Sequence, residues 1–179
     1  MTHVNTLSVS TNTYRIISTF DGSTETCSLS ELSQKLKLNT IFAELNTDGS
    51  LIDSWPLVHE TLVFFSVEFA DYALLNYSKK KIPEAEACIT LTRKWLENHD
   101  SVSNEELRAA YAAAAANAAA NAARATYAAA NAAAAAANAA ANAAYARAAE
   151  RAAYAAGKNR EAELIRQGQF IVEYLRAGT

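Results

Sequence analysis

The sequence predicts a mainly α protein: a helical bundle with long Ala-rich helices, plus a small mixed N-terminal segment. Three observations predict it. Between Ala109 and Ala156, 34 of 48 residues are alanine, the strongest helix former. Three further stretches, about 56–78, 83–98 and 159–176, carry apolar residues at helical spacing. Strand and turn signals fall only in the first 55 of the 179 residues. The predicted division is therefore 1–55, a small α+β segment, and 56–179, the helical bundle.

In chain order, the first ~15 residues are rich in Thr, Ser and Asn and read as a mobile end. Tyr14 to Phe20 has strand character and is closed by an Asp21-Gly22-Ser23 turn. Leu29, Leu32 and Leu36 predict a short helix over 29–38 with Ser28 as N-cap. Ile41, Phe42 and Leu45 suit another turn or short strand, followed by an Asp48-Gly49 turn. Pro56 and Pro83 each read as the start of a helix, where a missing N–H is harmless.

The 56–78 helix would bury Leu57, Val58, Leu62, Phe65, Phe69, Tyr72, Ala73 and Leu75, and Lys79-Lys80-Lys81 would complement its C-terminal dipole. The 83–98 helix would bury Ala85, Cys88, Ile89, Leu91, Trp95 and Leu96. Ser103 and Glu106 form a capping-box pattern that opens a long helical stretch near Asn104. Gly157 reads as its stop, and a last helix buries Leu164, Ile165, Ile171, Val172 and Leu175.

The alanine segment is informative through its exceptions. Asn117, Asn121, Arg124, Asn131, Asn138, Asn142 and Tyr145 are spaced 4, 3, 7, 7, 4 and 3 apart, which keeps them on one band of a helix and makes them the candidate binding face. Either that band is solvated and the alanine faces pack closely, or the asparagines form a seam that fixes helix register. The solvated reading is preferred, and any homo-oligomer would form through this segment. A single helix over 104–156 would be ~80 Å long, about twice the diameter of a globular chain this size. A hairpin turning near 124–127 is therefore expected.

Composition excludes several classes. No apolar run approaches the ~20 residues of a bilayer span, and no basic segment precedes a leader-like apolar one, so a cytoplasmic protein without membrane contact is expected. Cys27 and Cys88 have no metal-site spacing. A net charge of −3 gives no general reason to bind nucleic acid. Charge is uneven: residues 1–107 hold 15 acids and 8 bases, and residues 108–179 hold 4 acids and 8 bases. The acidic portion would suit a basic partner surface.

No catalytic set assembles. His3, His59 and His99 are far apart, and the His59-Glu60 pair is read as structural. Cys88 has no neighbouring base and reads as a core residue. There is no phosphate-binding Gly-rich loop and no serine elbow. Neither a cofactor nor a metal is expected. Tyr111, Tyr127, Tyr145 and Tyr154, with Arg108, Arg124, Arg147 and Arg151, could stack on a nucleotide. Tyrosines in an alanine helix more often fill gaps left by the methyl groups.

The run from Ala87 to Arg124 resembles the Imm-5-like immunity proteins of bacteria and phages. The matching positions are Ala87, Arg93, Trp95, Ser101, Val102, Glu106, Leu107, Arg108, Ala109 and Ala110, with Phe69 to Ala73 and Ile165 to Leu175 similar to flanking helices of that family. The likeness spans about 57–176, and residues 1–55 have no counterpart in it. It implies a non-enzymatic inhibitor that binds a protein target, a toxin or a host defence factor, in the cytoplasm of a bacterial cell. A nucleotide-signal sponge formed between the Ala-rich helices is the alternative. Residues 1–55 are the expected seat of partner specificity, or else a cap on the bundle end.

Overall fold

The computed structural model describes residues 13–35, 37–78, 81–120, 132 and 145–178, with 116–120 and 145–147 as backbone only. Four strands come first: β1 (Thr13–Ser18), β2 (Thr24–Cys27), β3 (Thr40–Leu45) and β4 (Leu51–Leu57), with the short helix α1 (Leu29–Leu32) between β2 and β3. The helices α2 (His59–Tyr77), α3 (Pro83–Glu97), α4 (Asn104–Ala120), α5 (Tyr145–Ala155) and α6 (Arg160–Ala177) follow. The strands form one antiparallel sheet in the order β2-β1-β3-β4.

The mainly α, helical-bundle expectation is thereby overturned: the fold is mixed α and β. The sheet's inner face carries Tyr14, Ile16, Cys27, Phe42, Trp55 and Leu57 into the same core as Leu62, Phe65 and Phe69 of α2 and Ile171, Val172 and Leu175 of α6. Tyr14, Phe42 and Trp55 stack across three strands, with ring centroids 5.5 and 5.4 Å apart. Such cross-strand aromatic pairs stabilise a sheet beyond the area they bury.

Two features hid the sheet. β2 reads Thr-Glu-Thr-Cys, without apolar alternation, and β4 contains Pro56, which the sequence reading placed at a helix start. Proline is tolerated in β4 because it is an edge strand. The Ser54 amide beside it donates to its neighbour Asp53 Oδ1 at 2.7 Å. A missing N–H and a diverted one blunt this edge against pairing with another chain. The helix predicted from 56 begins instead at His59, so Leu57 is buried in the sheet while Val58 is 48% exposed. Leu75, also expected inside, is 76% exposed.

α4 packs on α3, α5 along α2, and α1 across α6. Pro83 opens α3 in its first turn, and Gly157 ends the α5 segment with φ +59°. The predicted capping box is present: the Ser103 amide donates to Glu106 Oε2 at 2.8 Å and the Glu106 amide to Ser103 Oγ at 3.2 Å. α5 turns Ala148, Ala149, Ala152 and Ala153 inward and leaves Glu150, Arg151 and Tyr154 outside. In that stretch the methyl groups pack and the polar residues are wet. The helix predicted over 29–38 is cut to a single turn, and Thr13, expected in a mobile end, already belongs to β1.

Two buried carboxylates tie the layers together. Glu44, fully buried on β3, pairs with Arg176 of α6, whose Nε donates to Glu44 Oε2 at 3.0 Å. Glu163 of α6 accepts from Tyr77 Oη at 2.8 Å, from Arg166 at 2.7 and 2.8 Å, and from Gln167 Nε2 at 3.1 Å. Gln167 Nε2 also donates to the Ala149 carbonyl at 3.2 Å, linking α6 to α5. The Arg166 guanidinium lies 3.5 Å over the Tyr72 ring, so α2, α5 and α6 meet at this network.

Candidate functional site

The face expected from the asparagine band lies almost wholly outside the described residues: Asn121, Arg124, Asn131, Asn138 and Asn142 are not among them, nor is the hairpin turn near 124–127. Asn117 and Tyr145 are placed as backbone in α4 and α5. Of the residues considered for a nucleotide, Arg108 and Tyr111 are exposed on α4, and Arg151 and Tyr154 on α5; Tyr127 is outside the described residues, and Arg147 is described as backbone only.

Two of the histidines meet in space. Trp95 of α3 stacks on His99 at 4.2 Å between ring centroids and receives His59 edge-on at 5.4 Å. His99 Nε2 stands 3.9 Å from Glu60 Oε1, so the carboxylate next to His59 in sequence pairs with the other imidazole. The contacts fasten the start of α2 to the end of α3 around an indole. His3 lies outside the described residues. Cys88 is buried beside Ala114, and Cys27 is buried in β2, where burial pushes its thiol up to about 11. Among the described residues no group of three His, Cys, Asp or Glu side chains could hold a metal ion. Among them, too, no helix is long and apolar enough to cross a membrane.

The feature that sequence reasoning missed is the end of the β1–β2 hairpin. Phe20, expected as the last residue of a strand, sits on the turn with 95% of its surface exposed. The turn holds it rigidly. Ser18 N–H donates to the Ser23 carbonyl at 2.8 Å, and Gly22, at φ +68°, returns its amide to the Ser18 carbonyl at 3.0 Å. Asp21 Oδ1 accepts from the Ser23 amide at 3.0 Å and from its hydroxyl at 2.7 Å. Hydrogen bonding from Ser18 and Ser23 holds the Asp21 carboxyl down to about 2.

A second segment braces the tip. Thr19 donates its amide at 2.9 Å and its hydroxyl at 2.8 Å to the carbonyl of Asn39, itself at φ +59°, a conformation asparagine tolerates better than most residues. Between the hairpin and this 37–40 segment lies a cavity of about 360 Å³. Ile16 and Ser18 belong to its lining, with Thr24 and Glu25 from β2, Leu38 and Thr40 from the far side, and Phe20 and Lys37 also at its walls. Lys35 pairs with Glu25, and that hydrogen bond holds the Glu25 carboxyl below its ordinary range. An exposed apolar ring, a hollow and the Lys37 side chain thus lie together where the β1–β2 hairpin meets the 37–40 segment.

No protein-family model, curated protein or solved structure matches this chain.

Proposed function

We propose that this chain is a non-enzymatic binding protein of the immunity-like class, docking through the β1–β2 hairpin onto a protein toxin or a host defence factor in the cytoplasm of a bacterial cell. The observation that carries the reading is Phe20: a large apolar ring, 95% exposed, on a turn stiffened by its own hydrogen bonds. Burying such a ring in a partner is worth roughly 2–3 kcal/mol. Because the turn is already ordered, little of that gain is lost to ordering on binding. Interface energy concentrates in a few such anchors. The resemblance over 57–176 supports the same class, and residues 1–55, which lie outside it, supply the part that distinguishes one partner from another.

The test pairs the unmodified chain with Phe20→Ser in affinity capture from a bacterial lysate and in growth rescue against a panel of toxins. The expected result is one partner retained by the unmodified chain and lost by the variant, with circular dichroism unchanged. Capture and rescue that fail for the unmodified chain, beside a saturable thermal shift with a cyclic or linear nucleotide, would replace this reading by nucleotide sequestration.

A further inference from the structure

We propose that this chain pairs with a second copy of itself along the free edge of β2, joining two four-stranded sheets into one. The inference stands apart from the docking role given to Phe20, and it moves self-association from the alanine segment to the sheet. Backbone phase carries it. Ser18 N–H donates to the Ser23 carbonyl, and Tyr14 lies opposite Cys27 in the same register. In an antiparallel ladder alternate residues bond across, so Glu25 and Cys27 face β1 while the N–H and C=O groups of Thr24 and Thr26 point away from the sheet. Both threonines are exposed, and those groups have no hydrogen-bond partner among the described residues. The other edge is closed. The Thr19–Asn39 bond sets the phase there and turns Ser54 and Pro56 of β4 outward, where one amide is spent on Asp53 and the other is absent.

The open edge fits a copy of itself. Thr24-Glu25-Thr26 reads the same in both directions. An antiparallel second copy, with the two-fold axis at Glu25, therefore sets each Thr24 against Thr26 of the other chain. The outward N–H and C=O groups are then satisfied, and the threonines form cross-strand pairs of a kind that stabilises sheets. The two Glu25 carboxylates meet beside the axis, each already paired with its Lys35. An ammonium has three donors, so each Lys35 can serve both carboxylates. Charge agrees over the wider surface. Residues 13–40 hold Arg15, Lys35 and Lys37 against Asp21, Glu25 and Glu31, a neutral stretch within residues 1–107, which carry 15 acids and 8 bases. Two copies meet there without the repulsion that the rest of this acidic portion imposes.

The edge is short, so sedimentation velocity of the full chain is expected to show monomer passing to dimer only at high concentration, between about 10 μM and 1 mM. Thr24→Lys/Thr26→Lys sets lysine against lysine twice across the axis and should weaken association by about tenfold or more. Thr24→Lys/Thr26→Glu sets lysine against glutamate twice and should restore it. Both positions are exposed, so circular dichroism should be the same for all three chains. If the two variants sediment alike, the register and the proposal with it are overturned. Thr26→Pro, which deletes one outward N–H and no bond to β1, is the independent check: a dimer as strong as the parent's overturns edge pairing. A parent that stays monomeric to about 1 mM overturns the second copy as occupant, and the edge then belongs to a strand of another protein.

Discussion

Gly168 offers the sharpest test of how the sheet layer is joined to the helices. It is buried in α6, and a Cβ built on it would overlap the carbonyl oxygen of Leu29 and stand 3.0 Å from both the carbonyl carbon and Cδ1 of that residue. In Gly168→Ala, α1 must therefore retreat by roughly 1 Å to restore ordinary contact. Alanine in a helix interior gains about 1 kcal/mol over glycine. Against that stand ~1–3 kcal/mol of overpacking and part of the ~1.5–3 kcal/mol that each of the buried Leu29 and Leu32 contributes. The net expectation is a loss of about 1–3 kcal/mol. Urea unfolding followed by circular dichroism would show a lower midpoint at an unchanged slope. Gly178→Ala is the control, since a Cβ there meets nothing closer than the Tyr174 carbonyl oxygen at 3.7 Å, and it should shift stability by no more than ~0.5 kcal/mol. The obstructing atom is backbone, so trimming Leu29 to alanine should not rescue Gly168→Ala. A variant as stable as the parent would refute the close seating of α1 on α6.

Other outcomes follow from the same contacts. Arg176→Met removes the guanidinium that pairs with the buried Glu44 carboxylate; because the Arg176 side chain is half exposed, the expected loss is about 2 kcal/mol rather than the 3–5 kcal/mol of a fully buried pair, and Glu44→Leu/Arg176→Met should recover most of it in denaturant melts. The buried Cys27 thiol titrates near 11 against an ordinary 9.0, so the stability it confers is complete below pH 9 and is lost as pH rises from 9 to 11. That loss is roughly 2–3 kcal/mol, and Cys27→Ala should show a shallower decline over this window. Removing residues 1–55 takes Tyr14, Ile16, Phe42 and Trp55 out of the shared core, so 56–179 alone should lack a cooperative thermal transition.

What could be read from the sequence was local. The bounds of α3 and α6, Pro83 in a first turn, the Ser103–Glu106 box and Gly157 as a stop each depend on residues within a few positions, and the structure has them where expected. The sheet depends on pairing between distant residues. Nothing in Thr24 to Cys27 announces a strand until Tyr14 and Cys27 are set opposite each other. Pro56 illustrates the ambiguity, since a missing N–H suits both the first turn of a helix and an edge strand. Phe20 was visible as an aromatic ahead of an Asp-Gly turn, but alternation cannot tell whether the strand ends before or after it. The two-residue difference separates a core side chain from an exposed anchor. Glu44 and Glu163 were also beyond reach, because a buried carboxylate is defined by a partner far along the chain, Arg176 for one and Tyr77 for the other.

Why recognition should sit at the hairpin rather than on alanine follows from what each part of the fold must do. The inward alanines of α5 each bury little more than a methyl group, so their contribution lies in letting the helix approach α2 closely. A larger side chain at Ala149 or Ala152, both essentially without exposed surface, would force the helices apart. Those faces are therefore held by volume and have little freedom to change with a partner. Phe20 carries no such duty: its ring lies outside the core, while the turn is maintained by Ser18, Asp21, Gly22 and Ser23. Its side chain can be replaced without repacking anything beneath it. The proposed binding role needs its contact residues at positions with this freedom, and the hairpin supplies one on a frame whose rigidity comes from elsewhere.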